Sequence, residues 1–110
     1  MRSYQWNPDD RTVDVNVSGH VRKLEHLVKH SPDGFMCGYG GSGPADLALS
    51  ILADLIGADE ATKWYQAFKW DIISQRGPMM HWTLSEEHIQ TWLAVARQRK
   101  TQSTVTATAH

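Results

Sequence analysis

Residues 37–57 read CGYGGSGPADLALSILADLIG, and the parsing of that stretch decides the fold. Gly38, Gly40, Gly41 and Gly43 deliver the chain to Pro44, whose fixed φ and missing N–H suit the first position of a helix. From Ala45 onward the residues are apolar almost all round, apart from Asp46, Ser50 and Asp54, which recur every four residues and stack as one narrow polar strip. A helix with so little polar surface is mostly buried, so 44–56 is the spine on which the other elements pack. On this reading a charge at Leu47 or Leu52 unfolds the domain, while Ser50→Asp, on the strip, is tolerated. Gly57 accepts the left-handed conformation that closes a helix, and Asp59 is placed to cap a second one.

In that second helix Ala61, Trp64, Tyr65, Phe68 and Ile72 form a stripe at three- and four-residue spacing, with Lys63, Gln66 and Trp70 on the far side, until Gly77-Pro78 stops it. Upstream, Tyr4 and Trp6 alternate with polar neighbours, and Val13, Val15 and Val17 alternate with Asp14 and Asn16, the signature of half-buried strands. Ser18-Gly19 supplies a tight hairpin into a return strand at 21–24. No period dominates 25–31; Ser31-Pro32-Asp33-Gly34 is a turn, and 35–39 reads as a further strand. A last short strand is expected at 80–84, and Ser85 followed by Glu86 and Glu87 opens a third helix with Ile89, Trp92, Leu93 and Ala96 inward. The expectation is an α+β fold: a small, mainly antiparallel sheet of four or five strands, the helical hairpin 44–56 and 59–75 on one face, and the C-terminal helix 86–98 closing an edge. Written in order it is β-β-β-β-α-α-β-α. It forms one domain over 1–99, followed by a flexible C-terminal tail at 100–110.

Composition narrows the function classes. Eleven Lys and Arg against twelve Asp and Glu give a formal net charge of −1, which disfavours non-specific nucleic-acid binding and anionic membranes. The single cysteine cannot close an intramolecular disulfide, no signal-like apolar run opens the chain, and no stretch is long enough to span a membrane, all pointing to the cytoplasm of a cell.

Several residue sets carry chemistry on paper. Gly38, Gly40 and Gly43 match G-x-G-x-x-G, so Gly38, Gly40, Gly41, Ser42 and Gly43, ahead of a helix N-terminus, form a candidate phosphate or nucleotide loop. Against that, a second helix rather than a strand follows, no Lys follows Gly43, and Asp46 repels an anion. Glycines that let the backbone pass close to the sheet are the simpler account. His26 and His30 share helical spacing, and His81 and His88 could join them on a metal, yet no C-x-x-C accompanies them and Pro32 argues against a helix. Cys37 with His30 or His81 has the residue types of a nucleophile and base, although a lone cysteine in a core segment is ordinarily packing. No catalytic residue, metal or cofactor is therefore assigned. What remains is surface. Arg22, Lys23 and Lys29, with His20, His26 and His30, make 20–30 the most basic segment, whereas 44–60 carries four acids and no base. Trp70, with Lys63, Gln66 and Ile73 around it, is either an exposed interface anchor or covered by the sheet or the third helix.

Residues 30–52, HSPDGFMCGYGGSGPADLALSIL, together with YQAFKWDII at 65–73, resemble a family of small uncharacterised proteins found in phages, plasmids and bacterial genomes. The matching elements are His30-Ser31-Pro32, Gly34-Phe35, the block 38–44 and the Leu47-Ala48-Leu49 helix face; Cys37 stands where relatives carry an aromatic residue. The resemblance implies a context rather than an activity: a mobile-element protein acting inside a bacterium. The expected function is non-enzymatic binding of a host or defence-system protein, as an accessory or anti-defence factor, with inhibition of a CRISPR effector as its sharpest form. The alternatives are a phosphate- or nucleotide-dependent enzyme or sensor built on 38–46, and a nucleic-acid contact through 20–30.

Overall fold

The structure, a computed structural model, describes residues 1–31 and 34–109, with side chains described up to residue 100. Three strands come first, β1 (Arg2–Asn7), β2 (Thr12–Val17) and β3 (His20–Lys23). Helices α1 (Ser42–Ile56) and α2 (Ala58–Asp71) follow, then a 3-10 turn (Ile73–Gln75), β4 (Trp82–Ser85) and α3 (Glu86–Ala109). The fold is α+β, with a four-stranded antiparallel sheet in the order β3-β2-β1-β4. Directly opposed residues share a face in such a sheet. The register therefore lays Trp82, Trp6 and Val13 in one row across it, and Leu84, Tyr4, Val15 and Arg22 in the next. Tyr4, Trp6, Val13, Val15 and Leu84 are fully buried, so this is the dry face. The Ser18-Gly19 turn has positive φ at both residues, 52° and 92°, which matches the right-handed twist of the strands it joins.

Helix α1 is the spine. Its first eleven residues are buried save Ser42, and Leu47, Ala48, Ile51 and Leu52 are fully enclosed. Gly57, at φ 91°, ends it and lets α2 fold back along it. The α2 start differs from expectation: Asp59 lies within the first turn, where its charge favours the helix dipole, instead of at the cap. Ser85 caps α3, accepting from the His88 N–H at 3.0 Å. Helix α3 inserts Ile89 and Leu93 into the core and lies along α2, with Trp92 edge-on to Phe68 and Lys100 over the Trp64 ring. It runs to Ala109 rather than to 98, and the tail expected at 100–110 falls mostly outside the residues whose side chains are described. The strand expected at 35–39 is a correction. Phe35 and Cys37 are buried, but the positive φ of Gly34 and Gly38 bends the backbone at both ends, so the segment packs as a loop. The turn expected at 31–34 includes Pro32 and Asp33, which lie outside the described residues.

Candidate functional site

The glycine loop owes its composition to close packing. Gly38 has φ 86°, and a Cβ there would sit 2.8 Å from Pro78 Cδ and 3.0 Å from the Arg76 carbonyl. A Cβ on Gly40 would overlap the Trp70 ring, one on Gly41 would overlap the Tyr39 ring, and one on Gly43 would lie 2.8 Å from Met36 Cβ. The close approach is thus to α2 and to the turn before β4 rather than to the sheet. The Gly38 N–H is taken by the Ile73 carbonyl and that of Ala45 by Gly41, so part of the amide set a phosphate would need is already engaged. Ser42 is the first residue of α1, with Gly41 as the cap residue and no side chain bonding the free amides.

Trp70 is 57% exposed, yet its ring is held. Gly40 lies against one part of it, and the ammonium of Lys69 stands 4.5 Å from its ring centroid while donating to the Gly40 carbonyl at 3.1 Å. Lys69 is itself 7% exposed, an unusual burial for a lysine. Beyond Trp70 a groove of about 520 Å³ opens between α2 and α3, floored by Trp92, Val95 and Ala96 and flanked by Asp71 and Arg99. The Trp92 indole N–H donates to Asp71 at 2.9 Å, fixing that wall. Tyr39, Met79 and Met80 are also exposed, and Pro78, next to Met79 in sequence, meets Gly38 of the loop that carries Tyr39. Tyr39, Trp70, Met79 and Met80 are half of the large apolar side chains exposed among the described residues.

The other predicted contact residues are distributed differently. Lys63 is exposed and bonds Glu60 at 3.1 Å, and Gln66 is exposed. Ile73 is a correction: the 3-10 turn after α2 rotates it fully into the core, away from Trp70. The basic segment is largely committed within the molecule. Arg22, on the dry face, reaches Asp54 at 2.6 Å; Lys23, on the wet face, reaches Asp14 at 2.7 Å; Lys29 lies 5.2 Å from the Tyr65 ring centroid.

The polar strip of α1 explains why, and it is a further correction, because the strip faces protein. Asp46 is fully buried and Ser50 is 2% exposed. The irregular segment 24–31 lies across them antiparallel to the helix. Asp54 takes Arg22, Arg2 and the Tyr4 hydroxyl; Ser50 Oγ accepts from the Leu27 N–H at 2.9 Å; Asp46 accepts from the N–H groups of Lys29, His30 and Ser31 and from His26 Nε2. Burial alone would raise the Asp46 carboxyl, but the His26 bond and the Ser31, His30 and Lys29 amides outweigh it and hold it below the ordinary aspartate value. Against an ionised carboxylate the His26 bond requires its proton on Nε2. His30 pairs with the Tyr65 hydroxyl at 2.9 Å. Both histidines thus fasten loop to helix.

Cys37 is fully buried, and burial pushes its thiol up against the smaller opposing pulls of Trp82 and Arg76, which keeps it protonated rather than nucleophilic. Among the described residues no group of three or more His, Cys, Asp or Glu side chains could hold a metal ion, and no helix is long and apolar enough to cross a membrane. Sequence reasoning missed Lys69. The signal was present in retrospect, since Lys69-Trp70 is four residues beyond Tyr65 on the side of α2 that meets the glycines.

A family of proteins of unknown function, DUF6166, matches residues 6–95, and the chain belongs to it. The match runs from β1 through α2 and β4 into α3, so it takes in the glycine loop, Trp70 and most of the groove. No curated protein and no solved structure matches the chain significantly.

Proposed function

We propose that this member of the DUF6166 family is a non-enzymatic protein-binding module whose contact face is centred on Trp70. The observation that carries the reading is a tryptophan more than half exposed whose ring is nevertheless fixed by Gly40 and Lys69. A large aromatic side chain held in place before binding loses little conformational entropy on association, the property expected of an interface anchor. The groove opens beside it, and Tyr39, Met79 and Met80, on the glycine loop and on the segment that meets that loop at Gly38, add exposed apolar surface. Catalysis has less support, because the buried polar residues tie the chain to itself and the one thiol is enclosed. The finer reading is an accessory or anti-defence protein of a phage or mobile element acting in the cytoplasm of a bacterial host, with a CRISPR effector among its targets. It rests on the resemblance of 30–52 and 65–73 to proteins of such elements.

The test is capture from host extract with wild type and Trp70→Ala as parallel baits, each first shown to unfold cooperatively. Loss of Trp70 should weaken the captured interaction by about 2 kcal/mol or more, roughly 30-fold. Undiminished capture by Trp70→Ala would place the interface elsewhere and sink this assignment.

A further inference from the structure

We propose that Met79, Met80 and His81, in the turn that leads into β4, form a binding site for a soft monovalent cation, copper(I). The sequence sets two thioethers and an imidazole on consecutive residues, and the fold leaves all of them uncommitted. Met79 is 83% exposed and Met80 68%, although methionine is ordinarily among the most buried residue types. His81 is exposed, and its ring makes no hydrogen bond, ion pair or ring contact with another described residue. It differs in this from His26 and His30, whose ring nitrogens are taken by Asp46 and by the Tyr65 hydroxyl.

The turn that carries the donors is held at both ends. Pro78 packs against Gly38, and its carbonyl accepts from the Trp6 indole N–H at 2.9 Å. On the far side, Trp82 pairs with Trp6 in the sheet and stacks on it, with ring centroids 6.0 Å apart. Met79, Met80 and His81 thus bridge two anchored residues. The backbone turns and bends over 78–80, so neighbouring side chains are not sent to opposite faces as they would be in a strand. The unbranched, flexible methionine side chain lets its sulfur swing toward an ion held by the adjacent imidazole.

The donor set names the ion. Thioether sulfur is a soft ligand that suits copper(I), whereas calcium and magnesium take oxygen and structural zinc takes thiolate and imidazole. Two thioethers and a neutral imidazole carry no charge, so they leave the charge of the ion uncompensated, which costs far less for one charge than for two. No carboxylate stands in the sequence between Asp71 and Glu86, and the one charged residue in that interval, Arg76, is a cation. An apolar contact surface would be served as well by leucine and would make no use of His81. That difference is what the experiment reads.

The test uses the full chain with methyl-labelled methionine, titrated without oxygen with silver(I) as a redox-inert probe, and then with copper(I) against a competing chelator. The Met79 and Met80 methyl resonances should shift and saturate at one ion per chain, with Met1 and Met36 unmoved, and zinc(II) should move none of them. Met79→Leu with Met80→Leu keeps the apolar surface and the melting temperature but should weaken copper(I) binding at least ~10-fold, and His81→Gln should do the same. Cys37→Ser should leave the affinity unchanged. Met79 and Met80 resonances that stay fixed at millimolar silver(I), an affinity indifferent to the paired leucines, or binding that disappears with Cys37→Ser would overturn the assignment; the first of these is read on the wild-type chain and needs no variant to fold.

Discussion

Replacing Asp46 by Asn should be among the most damaging isosteric changes in the protein, and its cost can be worked from the contacts. The carboxylate takes four donors: His30 N–H at 2.8 Å, Ser31 N–H and His26 Nε2 at 2.9 Å, and Lys29 N–H at 3.2 Å. An asparagine keeps one acceptor oxygen. With its NH₂ toward Ser31, His26 can change tautomer and accept, but the Ser31 amide is left unpaired; the opposite flip strands His30. One unpaired buried N–H costs about 1–3 kcal/mol, and the surviving bonds fall from charge-assisted to neutral strength at about 1 kcal/mol each, for a total of roughly 3–5 kcal/mol. Urea unfolding at pH 7 should show the midpoint lowered by roughly 2 M, and hydrogen exchange should show the amides of 29–31 losing more protection than Leu52. The pH dependence has a definite sign. The folded carboxyl titrates below the ordinary value, so its contribution is complete above the unfolded pKa of about 3.9 and is lost as pH falls through the lower folded value. The stability gap between wild type and Asp46→Asn should be flat from about pH 5 upward and close in stronger acid. A gap under about 1 kcal/mol at pH 7, or unaltered exchange at 29–31, would refute the account of Asp46 as the fastening of that segment.

Three further outcomes follow from the same geometry. Ser50→Ala strands the Leu27 N–H and should cost about 1–3 kcal/mol in chemical denaturation, and Ser50→Asp, with a charge at a 2%-exposed site, should be worse; tolerance of both would return the strip to solvent. Arg22→Glu sets a second carboxylate beside Asp54 and should destabilise by about 1–3 kcal/mol, with Asp54→Asn recovering part of the loss in a double-mutant cycle; an additive pair would deny the contact. Gly38→Ala, at φ 86° and against Pro78, should lower the melting temperature more than Gly40→Ala, whose Cβ can displace the half-exposed Trp70 ring; the reverse order would contradict the assignment of backbone strain to Gly38.

Periodicity made most of the fold legible, because the elements that bury one face announce it. The valines at 13 and 15, Leu47, Leu49 and Leu52 of α1 and the stripe through Ala61, Tyr65 and Phe68 are all buried as their spacing requires. The misses share a physical cause. An irregular segment has no period, so nothing local in 24–31 says that its amides are satisfied by side chains on α1, 15 to 23 residues away along the chain. Without that partner, Asp46, Ser50 and Asp54 look like a solvent strip; with it, the same spacing is a row of fasteners. Ile73 and Lys69 failed for the related reason that helical spacing was carried into a 3-10 turn and that a lysine beside glycines can be covered by a neighbour's ring.

The fasteners also bear on where function can reside. Much of what the α1 strip and the basic segment offer holds 22–31 in place: Arg22 on Asp54 and His26 on Asp46 of the spine, and His30 on Tyr65 of α2. Recruiting these groups for a ligand would first release the segment they secure, at a cost of several kcal/mol by the reasoning applied to Asp46. The Trp70 face carries no such penalty. Its ring lies against Gly40 and Lys69 and its groove is open, so a partner meeting it would break none of the contacts that hold 22–31.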